Sequence, residues 1–204
     1  MKRVLVALTL ALCCAASAHE KKDAQAGIQA DLSVSAHPHL NVIAPAPDFT
    51  LRDPAGATVR LSELRGQIVL VAFIYTSCTT TCPVLSQQMA KLQKRVKEDK
   101  QLRGRVMLLS VTVDPSRDSA EALAKYASAF GADPAAWKFL RDSSEALTPV
   151  LLAYREWTKP MANGELDHPA RVYLIDAEGR VREIYSLAFF DPRQALIDIR
   201  SLAK

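Results

Sequence analysis

An apolar run from Ile68 to Tyr75 is the feature that most limits how this chain can fold. The run is rich in β-branched residues and has no polar interruption, which is the pattern of a strand buried on both faces of a sheet. After Pro83, apolar residues recur at helical spacing: Leu85, Met89, Leu92 and Val96. We therefore predict a central strand that leads almost directly into an amphipathic helix.

Strand and helix patterns alternate along the rest of the chain. The predicted strands cover residues 48–51, 106–113, 137–140, 171–175 and 181–185. Further helices are predicted to begin at Asp118, with Glu121 completing a capping box, and to cover residues 147–157 and 192–202. This alternation predicts an α/β fold in which helices flank a central, mainly parallel sheet.

Residues 1–18 have the order of a secretory signal peptide, with Lys2 and Arg3 ahead of an apolar stretch and small residues at 16–18. The stretch has about 13 apolar residues, too few to span a bilayer comfortably, so we expect no stable membrane anchor. Export to the periplasm follows, with a membrane-anchored form as the alternative. Removing the two basic residues lowers the formal charge from +4 to +2, and the mixed charges along the chain do not favour nucleic-acid binding.

The mature chain is expected to have two regions. Residues 19–47 are polar and alanine-rich, and end in two prolines, which predicts a flexible tether. Residues 48–204 are predicted to form one folded domain. Cys13 and Cys14 lie in the leader and are treated as small hydrophobic residues of the signal sequence.

Cys78 and Cys82 remain once the leader is removed. They flank the join between the carboxyl end of the central strand and the amino terminus of the helix, where open α/β sheets bind their ligands. The helix dipole favours a thiolate there, foremost at Cys82. Three threonines separate the cysteines, one residue more than in thiol-disulfide oxidoreductases. The wider turn lets both sulfurs face one ion, and it also permits a reversible disulfide.

If the two thiolates hold a metal ion, Cu(I) is the one that soft sulfur ligands in an exported protein select, and it needs a third donor. His19, His37 and His39 fall in the predicted tether, and we expect them to be solvated. His168 lies inside the domain, just before a strand that can run beside the cysteine strand in the opposite sense and bring its start near the thiols. We weigh this histidine as a ligand against the role of a hydrogen-bonded loop residue.

The segments CTTTCP at 78–83, VTVDP at 111–115 and DHPARVYLIDAEG at 167–179, behind an export signal, resemble the Sco/SenC copper proteins. The resemblance covers residue 45 to the end and implies a thioredoxin-like fold. It also implies that Cys78, Cys82 and His168 bind one copper ion, Cu(I) or Cu(II), and that Asp114 supports the site or faces a partner. For Asp114, a turn role before Pro115 is weighed equally.

The same resemblance implies a copper chaperone. The family is associated with assembling the copper-A site of cytochrome c oxidase, so the expected partner is the copper-A subunit or another copper protein, and we expect a monomer. Thr79 departs from typical members, which often have proline directly after the first cysteine. This departure leaves the delivery target open.

A thiol-disulfide oxidoreductase that uses Cys78 and Cys82 is the main alternative, and the question of enzyme or chaperone stays open at this point. Such enzymes normally have a proline at the start of the strand that follows His168, and Pro169 misses that place by one residue. A peroxidase and a purely structural disulfide are weaker alternatives. The polar loop at 158–165, with Met161, is expected to be a mobile flap.

Overall fold

The structure is a computed structural model that describes residues 40–186 and 189–203. Its strands are β1 (Ala44–Pro45), β2 (Thr50–Arg52), β3 (Thr58–Arg60), β4 (Ile68–Ile74), β5 (Val106–Thr112), β6 (Trp137–Leu140), β7 (Lys159–Pro160), β8 (Leu166–Asp167), β9 (Arg171–Ile175) and β10 (Arg180–Ser186). Its α-helices are α1 (Thr81–Glu98), α2 (Ala120–Ala129), α3 (Ser144–Ala153) and α4 (Pro192–Leu202), and a 3-10 helix spans Leu61–Leu64. No helix in these ranges combines the length and the apolar character needed to cross a membrane.

β4 lies inside the main sheet, whose strand order is β1-β10-β9-β4-β5-β6. Every residue of β4 and β5 is buried, so protein covers both faces of the sheet at its centre. α1 follows β4 and packs against α4, while α2 contacts β6. The central strand and the helix predicted after it are therefore both confirmed.

Strand direction differs from the expectation in one half of the sheet. β4, β5 and β6 are parallel, but β1, β10, β9 and β4 pair antiparallel, so the mainly parallel sheet is in fact mixed. For β9 and β10 the reason is the short turn at 176–179, where Gly179 has a φ of +75° and its N–H donates to the carbonyl of Asp176 at 2.8 Å. Such a connection joins antiparallel neighbours, whereas parallel ones need a long crossover.

Two helices begin at other residues than the pattern predicts. α2 begins at Ala120 because the Ser119 hydroxyl, 3.1 Å from the N–H of Ala122, is the N-cap. Asp118, predicted as the cap, turns into the interior and is fully buried. α3 begins at Ser144 and ends at Ala153, displaced from the predicted 147–157, because Ser143 caps it and Pro149 is accommodated inside the helix.

The predicted tether is described only from Leu40 onward. Leu40 is buried, and β1 pairs with β10 through Ala44 opposite Val181 and Pro45 opposite Arg180. Proline suits this edge strand because it has no N–H to leave unpaired. Among the described residues, the folded part therefore already includes 40–47, ahead of the start predicted at residue 48. The predicted signal peptide, Cys13, Cys14, His19, His37 and His39 all lie outside the described residues.

Candidate metal centre

The sheet brings the cysteine and histidine segments to one edge. β9 runs antiparallel to β4, with Val69 opposite Ile175 and Ala72 opposite Val172, so β9 begins where β4 ends. His168 precedes β9, and Cys82 lies in the first turn of α1 after β4. Their side chains meet, with 3.9 Å between Cys82 Sγ and His168 Nε2. The predicted approach of the histidine strand to the thiols therefore agrees with the observed register.

Cys78 lies at the amino terminus of α1, where backbone N–H groups have no partner within the helix. The N-cap residue, Thr80, makes no side-chain cap. Instead, Cys78 Sγ accepts the N–H of Cys82 at 3.3 Å and lies 3.4 Å from Thr81 Oγ1. The sulfur thus occupies the position that a capping oxygen takes in other helices.

The pKa values of the two thiols are shifted in opposite directions. Burial acts to raise the pKa of Cys78, but hydrogen bonds from the Thr81 hydroxyl and from the N–H groups of Cys82 and Thr80 outweigh it and lower that pKa to about 6. Burial raises the pKa of Cys82 to about 12, and the nearby Cys78 adds to the rise. The prediction that the helix terminus acts foremost on Cys82 is wrong, because the N–H of Cys82 in the first turn donates to the Cys78 sulfur.

His168 is held on several sides. Its side chain is 3% exposed, and its ring lies edge-on to the ring of Tyr75 at 5.7 Å between centroids. Nδ1 accepts the N–H of Ala170 at 3.2 Å, and Ala170 has a φ of +49°, which is uncommon for a residue other than glycine. Glu156 Oε2 lies 3.9 Å from the same nitrogen. The imidazole therefore presents Nε2 to Cys82 and Nδ1 to the protein interior.

A complete three-ligand site is not preformed in the described part of the chain, where no three His, Cys, Asp or Glu side chains are spaced to hold a metal ion. Cys82 and His168 already touch, while the Cys78 sulfur is engaged by the end of α1. The donor types nevertheless fit copper, since two sulfurs and one imidazole suit a soft ion. One buried carboxylate oxygen of Glu156 has no hydrogen-bond partner among residues 40–186 and 189–203, which also fits a site that changes when its ligand binds.

Asp114 takes part in a turn. It is 5% exposed, and its carboxylate accepts the Ser116 hydroxyl at 2.7 Å and pairs with Arg117. Arg117 in turn donates to the carbonyl of Gly164 at 2.7 Å and lies over the Tyr75 ring. Asp114 therefore lies in a turn, as one of its two expected roles requires, and Arg117 links it to the rim of the site.

Asp118 supports the loop that carries the cysteines, a role that sequence reasoning missed. Its carboxylate accepts the N–H of Thr76 at 3.1 Å and the Thr76 hydroxyl at 2.5 Å. It also accepts the hydroxyl of Thr112 at 2.5 Å. A single buried carboxylate thus fixes the chain just after β4, two residues before Cys78. The sequence pattern predicts a helix cap at this residue because Asp is common there, and it gives no sign of the buried role.

Glu165 also holds the cysteine loop, through hydrogen bonds from Thr79. It accepts the N–H of Thr79 at 3.1 Å and the Thr79 hydroxyl at 2.6 Å. A proline at this position could donate neither bond. The hydrogen bonds from Thr79 also hold the pKa of Glu165 below its ordinary value.

The segment predicted as a mobile flap has regular structure in part. It includes β7, which pairs with β8 through Lys159 opposite Asp167 and Pro160 opposite Leu166. Met161 lies in the turn between them and is about half exposed. Glu165 therefore attaches a short hairpin to the loop that carries Cys78.

Comparison with known proteins gives a family match over most of the chain. Residues 41–204 match the family model described as SCO1/SenC. The SCO1 protein homolog of Bacillus subtilis (strain 168) is 30% identical over 157 residues, which cover 75% of this chain and 80% of that protein. Some mitochondrial relatives are longer: the chain spans 53%, 54% and 52% of the bovine, mouse and human SCO2 homologs.

Solved structures agree with this match. Bradyrhizobium japonicum ScoI with copper bound is 28% identical, with a TM-score of 0.66, and the alignment covers 78% of this chain and 99% of that one. BsSco, described as having a disulfide switch and as a member of the Sco family of cytochrome c oxidase assembly proteins, is 27% identical. Its TM-score is 0.67, with 80% of this chain and 96% of that one covered. The thioredoxin-like α/β fold expected from the sequence is confirmed.

Proposed function

This chain belongs to the SCO1/SenC family, and from that premise we propose that it is a periplasmic copper metallochaperone. One copper ion, Cu(I) or Cu(II), is its cargo, and Cys78, Cys82 and His168 hold that ion. The recipient is the copper-A subunit of a respiratory cytochrome c oxidase or another copper protein. Copper bound to Bradyrhizobium japonicum ScoI and the assembly role given for BsSco support both parts of the proposal.

One observation in this chain carries the proposal. Cys82 Sγ and His168 Nε2 come from segments 86 residues apart in sequence and meet at 3.9 Å beside Cys78. A thiol, an imidazole and a second, acidic thiol at one edge of the sheet form a donor set that prefers copper to hard cations such as Mg²⁺. A histidine that only forms hydrogen bonds within a loop would not need two thiols beside its ring.

The acid strengths of the two thiols suggest how loading proceeds. With a pKa of about 6, Cys78 is a thiolate at neutral pH and is ready to bind copper first. Cys82, with a pKa of about 12, is still protonated and must release its proton when it binds the metal. The thiolates of the recipient then displace the ligands of the donor one at a time, so that the ion is never free.

The proposal is tested by anaerobic copper titration of the reduced protein, compared with His168→Ala and His168→Gln. The wild type should bind one copper per chain and show sulfur-to-copper charge-transfer absorption after addition of Cu(II). Loss of the imidazole should weaken binding at least tenfold. Circular dichroism checks that each variant is folded, because the ring is buried. Equal affinity in folded variants and wild type would exclude the site as assigned.

A thiol-disulfide oxidoreductase is the second candidate, and the unequal thiols favour it. In such an enzyme the Cys78 thiolate attacks a target disulfide, one target sulfur leaves as a thiol, and Cys82 then resolves the mixed disulfide. Cys82→Ser should trap that mixed disulfide if this is the activity. Under this candidate, Cu(II) only oxidises the protein: two Cu(II) ions take two electrons from the dithiol and give two Cu(I) ions, two protons and a disulfide.

A further inference from the structure

Glu156 lies under the predicted ligand His168 and has an unusual set of contacts. Its side chain is fully buried, and one carboxylate oxygen is anchored: Oε1 lies 3.5 Å from Arg171 Nη1 and 3.4 Å from the Tyr173 hydroxyl. The other oxygen, Oε2, has no hydrogen-bond partner in the described residues and lies 3.9 Å from His168 Nδ1. A buried carboxylate oxygen normally has a partner, so this one points to a bond that forms in another state.

The backbone is shaped to bring Glu156 inside. α3 ends at Ala153, and the chain turns at Arg155, which has a φ of +54°. A left-handed conformation is uncommon for a residue of this kind and persists only where its surroundings enforce it. Here the guanidinium of Arg171 donates to the Arg155 carbonyl at 3.0 Å, and the N–H of Glu156 donates to Leu151 at 2.8 Å. The turn places an acidic residue under the histidine, although nothing in the local sequence pattern predicts a buried residue there.

Two groups compete for His168 Nδ1. The N–H of Ala170, at 3.2 Å, favours an unprotonated Nδ1, and the ring proton then lies on Nε2, facing Cys82. The carboxylate of Glu156 favours the other tautomer, in which Nδ1 carries the proton and donates it to Oε2. Only that second tautomer leaves the Nε2 lone pair free for a metal ion. Metal-bound histidines commonly donate their other N–H to a carboxylate in this way.

We infer that Glu156 is a positioning residue that shifts His168 toward the tautomer with its proton on Nδ1, against the one that Ala170 favours, so that Nε2 is free to bind copper. The inference rests on the proposed function and adds to it a residue that makes the imidazole ready for the ion. Glu156 touches no copper itself and acts only through the ring. In that tautomer Nδ1 donates to Oε2, and the contact of 3.9 Å between the two atoms shortens to a hydrogen bond.

The test uses the reduced protein and its Glu156→Gln and Glu156→Asp variants, labelled with ¹⁵N. Glutamine keeps the size of the side chain and can still pair with Arg171 and Tyr173, but it removes the charge that faces Nδ1. Imidazole ¹⁵N shifts in the metal-free protein report which nitrogen carries the proton. Glu156→Gln should move the proton toward Nε2 and weaken Cu(I) binding about 10-fold to 100-fold, with one copper per chain retained. Glu156→Asp, which keeps the charge but shortens the side chain, should give intermediate results.

A matched control is Glu98→Gln, which removes the same charge at the exposed end of α1, where Glu98 pairs with Lys94 at 4.0 Å. It should leave the tautomer and the copper affinity unchanged. The inference is overturned if wild type and Glu156→Gln have the same tautomer, or if their affinities agree within twofold. That outcome leaves the proposed function standing, since wild type still binds copper. Failure of the proposed function is different: wild type then binds no copper, and the metal-free spectra alone decide whether Glu156 controls the ring.

Discussion

Replacing Thr81 by valine is expected to raise the pH at which Cys78 becomes reactive. The Thr81 hydroxyl lies 3.4 Å from Cys78 Sγ, and among the hydrogen bonds that lower the pKa of this thiol it has the largest effect. Valine has nearly the same shape but cannot donate that bond. The variant therefore removes one source of thiolate stabilisation and leaves the backbone N–H groups of α1 in place.

The size of the effect follows from the bond that is lost. A hydrogen bond to a charged acceptor contributes roughly 1.5–3 kcal/mol, and about 1.4 kcal/mol corresponds to one pKa unit. Thr81 is exposed, so water replaces part of the lost bond and the lower end applies. The pKa of Cys78 should then rise from about 6 by roughly one unit, to about 7. At pH 6 the thiolate fraction falls from about one half to about one tenth, which slows alkylation roughly fivefold.

The assay is anaerobic alkylation with iodoacetamide between pH 5 and pH 8, followed by mass spectrometry of the peptide that contains Cys78. Cys82 does not interfere, because its pKa of about 12 keeps it protonated over that range. Thr80→Val is the matched control: it makes the same change one residue away and keeps the backbone N–H that stabilises Cys78. An unshifted midpoint in Thr81→Val, or an equal shift in Thr80→Val, would refute the reasoning.

Three other changes test the support of the site and the core. Asp118→Ala should lower the free energy of unfolding, measured in urea, by about 3–5 kcal/mol, because three donors lose a buried acceptor. Glu121→Gln on the surface of α2 should change it by less than about 0.5 kcal/mol. A loss below about 1 kcal/mol in Asp118→Ala would contradict the role assigned to that residue. Glu165→Ala should speed hydrogen exchange at the Thr79 amide roughly fivefold, and an unchanged rate would show that the bond does not persist in solution. Leu70→Ala, at a fully buried position in β4, should lower the free energy of unfolding by about 3 kcal/mol, far more than Ile184→Ala at an exposed position; similar losses would argue against β4 as the core strand.

The order of elements was predictable where one segment contains the whole signal. The run at 68–75 and the helical spacing after Pro83 predicted β4 and α1 because burial on both faces and burial on one stripe leave different local patterns. The direction of the strands was harder to predict from the sequence. The antiparallel pairing of β9 with β10 depends on a turn of four residues at 176–179, and the alternation of helices and strands outweighed that short signal.

The residues of the site also differ in whether the sequence alone could identify them. Cys78, Cys82 and His168 could be selected as candidates because thiols and imidazoles are few in this chain and their placement next to predicted strands limits where they lie. The residues that support the site could not be selected from the sequence in this way. Asp118 resembled a helix cap, and Glu156 and Glu165 resembled ordinary surface acids, although all three contact residues at least 6 positions away in sequence.

The sequence by itself determined the apolar centre of the sheet, the helix behind the cysteines and the identity of the candidate ligands, because each of these is set by neighbouring residues and by side-chain chemistry. The tertiary structure alone decided which thiol is acidic, how close His168 comes to Cys82, and which carboxylates lie beneath them. Hydrogen bonds and burial set these properties, and both depend on segments that fold together from distant parts of the chain.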